Sequence, residues 1–290
     1  MEIFEKGPIM FSWLKKGGKA QKSVHATEAN PAPVFKREAA GKILEEIKRE
    51  FGLDYERQEA VTLRKIERFA LKNGIYSFDA LSDAIEKSDS LKTALINMLT
   101  VGETYFYREL EQIELLGEEI LSNRCERILS APCSTGEEVY SILLYLKNRS
   151  AIPPSLHITG IDINTDALAK AEKGCYSQRS VSQLPPEITE KWFTQKDEGY
   201  CIDAGLKSYT SFAYANIFDP EFHSLGKFDA VLSRNMMIYF TDEEKKKALN
   251  QLSAVMHAGS LLFLGHADLS FVPEGFEKIR RGGTVYFKKG

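Results

Sequence analysis

The sequence contains 290 residues, of which 43% are hydrophobic and 27% are charged, so it is long enough to bury one large core or one and a half domains. Its 38 basic and 41 acidic residues give a net charge of -3, which excludes a global basic field that would draw the chain to nucleic acid or anionic lipid. No apolar run approaches the roughly 20 residues of a membrane helix, and we expect neither a membrane span nor a secretory signal.

The first 35 residues are rich in Lys, Gly, Ala and Pro and contain few apolar anchors, so we expect a disordered tail there. From residue 36 to about residue 100 the periodicity is helical, because apolar residues recur three and four positions apart. The segments are AAGKILEEIKREFGL, ERQEAVTLRKIERFALKNG and FDALSDAIEKSDSLKTALINML, with Gly52 and Gly74 as expected stops after the first two. This region is predicted to form a small helical domain.

The second predicted helix, from Glu56 to Asn73, carries several basic residues spaced to share a face, among them Arg57, Arg64 and Arg68. A charged helix face is most often simply solvated. The alternative is a docking surface for an acidic helix, and the residues alone leave both interpretations open.

The segment VGETYFYREL precedes the first predicted strand and packs Thr104, Tyr105, Phe106, Tyr107 and Arg108 into five consecutive positions. Such a segment is typical of a linker that folds over a pocket. The aromatic residues are also compatible with a simpler role as core between two domains.

From Arg127 onward, apolar strands alternate with amphipathic helices. The strand-like runs are RILSA, HITGIDI, FDAVLSRN and SLLFLGH. This alternation indicates a parallel sheet covered on both faces. Thr241 and Glu244 fit a capping box that opens the helix after the third run, and Gly282 and Gly283 lie in a hairpin signal. We therefore expect a doubly wound α/β sheet that ends in an antiparallel hairpin.

Ligands of doubly wound sheets bind at the carboxyl ends of the strands. The first such end is APCSTGEE, whose small residues let a ligand approach the backbone at a helix N-terminus. The turn is not a G-x-G-x-x-G motif, and Glu137 and Glu138 would repel a pyrophosphate. Asp162 follows Gly136 by 26 residues, near the spacing at which an acid binds ribose hydroxyls. A nucleoside ligand is favoured over the alternative that Asp162 only caps the helix starting near Thr165.

Two further predicted strand ends are polar where a core would be apolar. The segment YANIFD contains Asn216 and Asp219, and VLSRNMMIYF contains Arg234, Asn235 and Tyr239. A buried arginine over the crevice needs a partner, which favours a functional site.

The cysteines Cys125, Cys133, Cys175 and Cys201 lie far apart and form no C-x-x-C pair. This spacing argues against a zinc site and against a disulfide framework, and it favours the cytosol. The histidines are scattered as well, so we expect no metal site, and His266 in LGHAD is expected to be structural or pocket-lining.

Four ordered segments together resemble the CheR-type chemoreceptor glutamate methyltransferases, also called methyl-accepting chemotaxis protein methyltransferases. The segments are TVGETYFYRE, APCSTGEEVYSI, GIDINTDALAKAEKGCY and RNMMIYF with LLFLGHAD, and the similarity extends roughly from Lys42 to Lys288. The resemblance implies a class I fold that binds S-adenosylmethionine and yields S-adenosylhomocysteine. It implies transfer of the methyl group to the γ-carboxylate of glutamates on cytoplasmic chemoreceptor helices, for chemotactic adaptation.

The resemblance also implies domain boundaries and site residues. It implies a helical domain at 36–100 after the tail at 1–35, a linker covering the cofactor site at 101–126, and a methyltransferase domain at 127–290 with a small β-subdomain inserted at about 177–213. Arg108 and Tyr239 match positions linked to the reacting centre. Because chemoreceptor methylation segments are acidic helices, the resemblance also favours the docking interpretation of Arg57, Arg64 and Arg68. The expected cofactor-binding residues are Gly102, Thr104, Arg108, Glu138, Asp162, Asn216, Ile217, Arg234 and Asn235.

Two departures from the family pattern affect these expectations. Gly102 stands where members often have Asn, so cofactor binding is expected to be weaker by the ~1 kcal/mol of one hydrogen bond. The turn in FTQKDEGYCIDAGL is shorter than in members that hold a tethering peptide, so we expect receptor recognition without a C-terminal tether.

The expected partner is therefore the chemoreceptor helical bundle, reached by a cytoplasmic protein that is recruited to membrane receptor arrays without inserting into the membrane. Nucleic acid is not an expected partner. Two alternatives are kept: a methyltransferase of the same fold acting on another substrate, and a non-enzymatic module that binds S-adenosylmethionine and regulates a partner.

Overall fold

The computed structural model describes residues 32–100, 102–149 and 152–290. Most of the tail expected at 1–35, namely residues 1–31, lies outside the described residues. Residues Pro33–Gly290 form one compact unit. Within the described ranges, the helices are too short or too polar to cross a membrane.

Four helices occupy the region expected to be helical: α1 (Arg37–Phe51), α2 (Glu59–Lys72), α3 (Phe78–Lys87) and α4 (Asp89–Leu99). Gly52 ends α1 in the left-handed conformation with φ 72°, as expected for a helix stop. The pattern from residue 78 to residue 99 is interrupted at Ser88, which leaves the helix and caps α4 by accepting a hydrogen bond from the Leu91 N–H.

The next elements are α5 (Leu110–Leu121), β1 (Arg127–Ser130), α6 (Glu137–Arg149), β2 (His157–Asp162) and α7 (Thr165–Lys173). They reproduce the expected alternation of strand and helix. The side chain of Asn164 caps α7, and Gly174 ends it in the left-handed conformation.

A small three-stranded sheet follows, made of β3 (Cys175–Tyr176), β4 (Phe193–Lys196) and β5 (Gly199–Ile202) in the antiparallel order β3-β5-β4. Three short helices accompany it: α8 (Gln178–Val181), α9 (Pro186–Trp192) and α10 (Ala204–Lys207). This sheet lies close to the position expected for the β-subdomain but begins two residues earlier.

Within this sheet Cys175 lies directly opposite Cys201, and the two sulfurs form a disulfide. The expectation that the cysteine spacing argues against disulfides is therefore wrong for this pair, and the spacing loses its value as evidence for a cytosolic location. Glu198 lies beside the two sulfurs. Metal ligation would require free thiolates, so the bonded pair is not a metal site.

The main sheet is completed by β6 (Thr210–Tyr214), β7 (Phe228–Ser233), β8 (Met256–Leu264), β9 (Phe276–Arg281) and β10 (Thr284–Lys289), with α11 (Asp242–Ala254) between β7 and β8. Its order is β6-β2-β1-β7-β8-β10-β9. The first five strands in this order are parallel, and β10 is antiparallel to both of its neighbours. The predicted doubly wound α/β sheet with a C-terminal antiparallel hairpin is confirmed, as is Thr241 as the cap of α11.

The sheet separates two hydrophobic cores. One core joins the helices of residues 37–99 to one face of the sheet, so that Ile43 and Leu95 belong to the same cluster as Leu129 and Val231. The other core packs α5, α6 and the small sheet on the opposite face. The helical region therefore rests on the main sheet itself, next to the carboxyl ends of its strands.

Candidate active site

A cavity of about 400 Å³ opens where the helical region meets the carboxyl ends of β1, β2, β6 and β7. Phe51, Leu53, Tyr55 and Leu99 line it from the helical side. The structure brings every residue singled out for cofactor binding or catalysis to this cavity: Gly102, Thr104, Arg108, Glu138, Asp162, Asn216, Ile217, Arg234, Asn235 and Tyr239. The three docking arginines are exposed on the helical region, outside the cavity lining.

The turn after β1 is held by the acid at the end of β2. One oxygen of Asp162 accepts a hydrogen bond of 2.8 Å from the Ser134 N–H, and the other accepts one of 2.8 Å from the Asn164 N–H. Gly136 has φ 89°, and a Cβ there would lie 2.9 Å from the Ala171 Cβ, so the turn requires glycine. Asp162 is buried, and this burial raises the pKa of its carboxyl. Asn164, not Asp162, caps α7, which removes the alternative role considered for Asp162.

Arg234, at the end of β7, is buried and has the partners that its charge requires. Its Nη1 lies 2.9 Å from Glu138 Oε2, its Nη2 lies 3.5 Å from Glu109 Oε2, and it also donates to the Arg108 carbonyl. Glu138 accepts a further hydrogen bond of 2.7 Å from the Ser130 hydroxyl. Arg234 Nε has no hydrogen-bond partner among the described residues. This network joins the linker to the sheet and leaves one N–H donor for a ligand.

The linker lines the cavity, as expected, but its buried aromatic belongs to the core that contains α5, α6 and the small sheet and not to a contact with the helical region. Phe106 is fully buried and packs edge-on against Tyr176 and Phe193 of the small sheet, with ring centroids 4.8 and 5.3 Å away. Tyr105 and Arg108 instead line the cavity. Arg108 Nη1 donates a hydrogen bond of 2.9 Å to the Glu103 carbonyl, which closes the linker on itself. The buried aromatic anchors the segment, and its neighbours are thereby held over the pocket.

Asn216 and Ile217 follow β6 and form part of the wall. The Asn216 amide donates to the Glu50 carbonyl at 2.8 Å and to Asp219 Oδ1 at 3.1 Å, and its oxygen accepts from the Phe218 N–H. Both amide donors are therefore used within the protein. Asn216 ties the end of α1 to the cavity, and Ile217 adds buried apolar surface beside it.

The loop after β7 contains Asn235 and Tyr239 and is supported by a residue that sequence reasoning missed. Asp268 is fully buried, and it accepts hydrogen bonds from the N–H groups of Asn235 at 2.7 Å, Gly265 at 2.7 Å and Met237 at 3.0 Å. Burial raises the pKa of its carboxyl despite these donors. In the sequence, the signal that could have identified Asp268 was its position shortly after the apolar run of β8, in LGHAD.

His266, in the same segment, was expected to be structural or pocket-lining. Its side chain is 76% exposed, and its Nδ1 lies 3.2 Å from Glu109 Oε2. It is not among the residues that line the cavity. Its contact with the linker carboxylate is therefore a surface contact outside the pocket.

A second missed residue, Asn97, connects the helical region to the cavity. Its oxygen accepts from the Thr165 N–H at 3.0 Å, and its amide donates to the Thr165 hydroxyl at 2.8 Å. Asn164 in turn donates to the Asn97 carbonyl at 3.1 Å. The loop that follows Asp162 is thus fastened to α4. A single polar residue on a helix gives no sequence signal for such a contact.

The fold and the cavity define a class I S-adenosylmethionine-dependent methyltransferase. A sequence model of the family described as CheR methyltransferase, SAM binding domain, matches residues 102–283. The chain therefore belongs to the CheR methyltransferase family, which confirms the resemblance drawn from its motifs. Its cofactor is S-adenosylmethionine.

Curated relatives agree with this assignment. A chemotaxis protein methyltransferase of Campylobacter jejuni is 34% identical over 242 residues, which cover 82% of this chain and 91% of that protein. Chemotaxis protein methyltransferase 2 of Vibrio cholerae is 36% identical and covers 67% of this chain and 72% of that protein. The chemotaxis protein methyltransferase of Escherichia coli is 34% identical, with 67% and 69% covered.

The residues of the cavity fit this cofactor. Each Asp162 oxygen accepts one backbone hydrogen bond and retains a lone pair, which suits a ribose hydroxyl. The unpartnered Arg234 Nε–H suits a carboxylate such as that of the methionine moiety. Glu137 and Glu138 beside the turn do not conflict with a ligand that carries no phosphate. The turn, the acid and the free donor thus match the ribose and the amino-acid end of S-adenosylmethionine.

Proposed function

We propose that this protein transfers the methyl group of S-adenosylmethionine to the γ-carboxylate of glutamates on cytoplasmic chemoreceptor helices, and that the glutamate methyl esters serve chemotactic adaptation. The observation that supports this most is the shared cavity: Asp162 and Arg234 lie at its sheet wall, and Arg108 and Tyr239 line the same space. The relatives named as chemotaxis protein methyltransferases support the choice of pathway. The protein would act in the cytoplasm and be recruited to receptor arrays.

When bound, S-adenosylmethionine supplies a methyl group on a positively charged sulfur and leaves as S-adenosylhomocysteine after transfer. Asp162 would hold the ribose hydroxyls, and Arg234 Nε would bind the carboxylate of the methionine moiety. Thr104 and Ile217 would add contact surface, and the Asn235 backbone would close the site next to Arg234. Gly102 leaves space beside the Ser134 hydroxyl, where a Cβ would lie at 3.3 Å.

A glutamate acceptor requires positioning but no general base. Its pKa of about 4.3 means that the side chain is ionised at neutral pH and is already nucleophilic. Arg108 uses one N–H on the Glu103 carbonyl, and its other N–H groups remain to orient the acceptor carboxylate. Tyr239 is 41% exposed at the cavity, so its hydroxyl would bond the acceptor as it enters. Holding the acceptor oxygen roughly 3 to 3.5 Å from the methyl carbon would supply several kcal/mol of the acceleration.

The test is to incubate the protein with methyl-labelled S-adenosylmethionine and chemoreceptor-containing membranes, and then to treat the labelled receptor with alkali. Release of the label as volatile methanol is the expected result, because carboxyl methyl esters hydrolyse in alkali. A label that survives alkali would point to another acceptor group. Tight binding of S-adenosylhomocysteine without transfer to receptors of the same cell would favour a regulatory binding module.

We also propose that Arg57, Arg64 and Arg68 dock the acidic receptor helices. All three are exposed, and among the described residues the ion pairs of the helical region use Arg37, Lys48 and Lys92 instead. Arg64 and Arg68 each follow a buried residue of α2 by two positions and therefore point about 200° away from it. The buried face of α2 packs on the core, which leaves the face of Arg64 and Arg68 for a partner. Arg57, expected on the same helix, lies instead in a separate 3₁₀ turn, Glu56–Gln58, before α2.

Receptor recognition is proposed to be independent of a C-terminal tether peptide. The supporting feature is the two-residue turn between β4 and β5, which leaves little loop to enclose a peptide. A peptide that binds would be expected to add to β4, because this strand lies at the edge of the small sheet and residues 194–196 are exposed. Fluorescence anisotropy with labelled C-terminal receptor peptides should show no saturable binding, and micromolar affinity would refute the proposal.

A further inference from the structure

The loop after β7 has an unusual backbone for a segment that forms part of the cavity wall. Asn235 adopts the left-handed conformation with φ 59°, and Met237–Tyr239 form a single 3₁₀ turn. Non-glycine residues in this conformation persist only where the surrounding structure enforces it. A side chain that fixes this backbone therefore also determines where Asn235 and Tyr239 lie.

Asp268 is placed to do this. One carboxylate oxygen accepts from both the Asn235 and the Gly265 N–H groups, and the other accepts from the Met237 N–H. These contacts hold the start of the segment, immediately after Arg234, and the first residue of the turn that ends at Tyr239. Among the described residues, no cation lies within 4 Å of this carboxylate to explain its burial as an ion pair. Its function in the fold is thus to bind backbone N–H groups.

Gly265, in the loop after β8, packs closely against Asn235 and Asp268. A Cβ at Gly265 would lie 2.7 Å from Asn235 Nδ2, 2.8 Å from Asp268 Oδ2 and 2.9 Å from the Asn235 nitrogen. The loop after β8 and the loop after β7 therefore meet backbone to backbone, with the carboxylate between them.

Another carboxylate in the sheet also accepts hydrogen bonds from backbone N–H groups, but it lies away from the cavity. Asp229 Oδ2 accepts hydrogen bonds of 2.9 Å from the N–H groups of Glu126 and Arg127, near the amino ends of β1 and β7. It does not line the cavity. Asp229 is partly exposed, whereas Asp268 is fully buried, so Asp229 is a reference for the loss of backbone hydrogen bonds away from the site and the double-mutant cycle accounts for burial.

We propose that Asp268 is a positioning residue for methyl transfer: it fixes the backbone of residues 235–239, and thereby places Asn235 against the cofactor and Tyr239 at the entry of the acceptor. The part of this inference that concerns Tyr239 rests on the proposed function. Asp268 itself touches neither substrate, because it lies behind the loop and is fully buried.

The test compares Asp268→Asn with Asp229→Asn. The amide keeps the size of the side chain but replaces one acceptor oxygen with an NH₂ group, which faces backbone donors. Turnover on receptor membranes should fall about tenfold or more in Asp268→Asn, since one charge-assisted contact is lost and another is opposed. Asp229→Asn should retain wild-type turnover. Equal turnover in the two variants would overturn the proposal.

A double-mutant cycle separates positioning from general stability. If Asp268 acts through Tyr239, Asp268→Asn should cause a smaller fold loss of turnover in a Tyr239→Phe background than in the wild-type background. Multiplicative losses would show that Asp268 does not act through Tyr239 and would refute that part of the proposal. If Asp268→Asn does not fold, Gly265→Ala tests the same loop with Asp268 intact. Wild-type turnover in Gly265→Ala would contradict the proposal.

Binding of S-adenosylhomocysteine distinguishes a failure of this inference from a failure of the proposed function. Calorimetry needs no acceptor, and Asp268→Asn should weaken this binding through Asn235 while Asp229→Asn should not. If the wild-type protein methylates no receptor, the proposed function fails and this binding difference still decides the role of Asp268.

Discussion

The cavity has two walls that are built by different chemistry. The sheet wall is held by carboxylates: buried Asp162 and Asp268 and partly buried Glu138 each bind groups that shape the loops at the strand ends. The opposite wall, formed by the helical region and the linker, is mainly apolar and aromatic, with Leu53 and Tyr55 among its members. Carboxylates fixed by several hydrogen bonds form a preorganised surface, whereas apolar contacts permit small adjustments.

This difference separates the two ligands of the reaction. The preorganised sheet wall suits a small cofactor of constant shape, and the wall that carries Arg108 suits a protein acceptor that arrives on a helix. Loss of the cofactor contacts in the sheet wall should therefore change cofactor affinity, and substitutions in the helical and linker wall should change turnover or receptor affinity. The loop after β7, which carries Asn235 and Tyr239 and is held by Asp268, should affect both.

Arg108→Ala should cause the largest change, a loss of turnover of roughly 100-fold or more, because the acceptor carboxylate loses its charged partner at the reacting centre. Tyr239→Phe should lose less, since it removes one neutral hydrogen bond. Single-turnover rates with saturating cofactor would measure both. Arg280→Ala, an exposed arginine on the edge strand β9, is the matched control. Wild-type rates in Arg108→Ala and Tyr239→Phe would remove both residues from the mechanism.

Asp162→Ala should weaken binding of S-adenosylhomocysteine by about 100-fold, because two hydrogen bonds to a charged acceptor are each worth ~1.5 to 3 kcal/mol. Titration calorimetry measures this change without an acceptor. The control is Asp166→Ala, an exposed aspartate in the first turn of α7. If Asp162→Ala binds as tightly as the control, the sheet wall does not hold the ribose.

The same carboxylate predicts a pH dependence of binding. Burial raises the pKa of Asp162, so on acidification it takes up a proton at a higher pH than an ordinary aspartate of pKa about 3.9. The protonated form is a poorer acceptor for the Ser134 N–H and for ribose hydroxyls. The affinity for S-adenosylhomocysteine should therefore be highest at neutral pH. It should decline on acidification at a pH above the range in which an ordinary aspartate titrates. Asp162→Asn should lack this step in the affinity profile.

The sheet wall was largely predictable from the sequence, because its residues follow directly from local patterns. Apolar runs gave the parallel strands, and polar residues at their carboxyl ends, such as Asp162 and Arg234, necessarily meet at one edge of the sheet. Thr241 and Gly52 marked helix ends through chemistry that acts within a few residues. Local rules suffice wherever a residue's partner lies near it in sequence or is fixed by the strand order.

The supports of the site were not predictable, because their partners are distant in sequence. Asp268 binds Asn235 across 33 residues, and Asn97 binds Thr165 across 68. Cys175 and Cys201 are paired by the register of β3 and β5, which their separation of 26 residues does not reveal. Single polar residues and cysteines have no periodic pattern, so only the tertiary structure shows what they contact.

The outer surface of the helical region is tested next by charge reversal at Arg64 and Arg68. The double change to Glu should raise the receptor KM about tenfold and leave kcat nearly unchanged, because the affected contacts lie outside the cavity. The wild-type KM should rise with salt, and that of the variant should respond less. Reversal of Lys278 and Arg280 on β9 gives the same change of net charge as a control. If both double variants raise the receptor KM equally, the effect comes from net charge alone and Arg64 and Arg68 have no specific docking role.

The smallest expected effect concerns Gly102, which lies where the linker meets the turn after β1. Gly102→Asn should tighten S-adenosylhomocysteine binding by up to about fivefold, the equivalent of one hydrogen bond of ~1 kcal/mol. The added Cβ would lie 3.3 Å from the Ser134 hydroxyl, so that side chain must move by a few tenths of an ångström. Gly102→Ala adds the same Cβ without the amide and is the matched control.

The sign of the difference between these two variants is informative. Tighter binding in Gly102→Asn than in Gly102→Ala, the expected result, would show that the linker can add one hydrogen bond to a cofactor that the sheet wall already holds. Equal and reduced binding in both would show that crowding against Ser134 dominates. In that case any side chain at residue 102 would disturb the turn that Asp162 holds. Glycine would then be required there because this turn of the sheet wall is rigid.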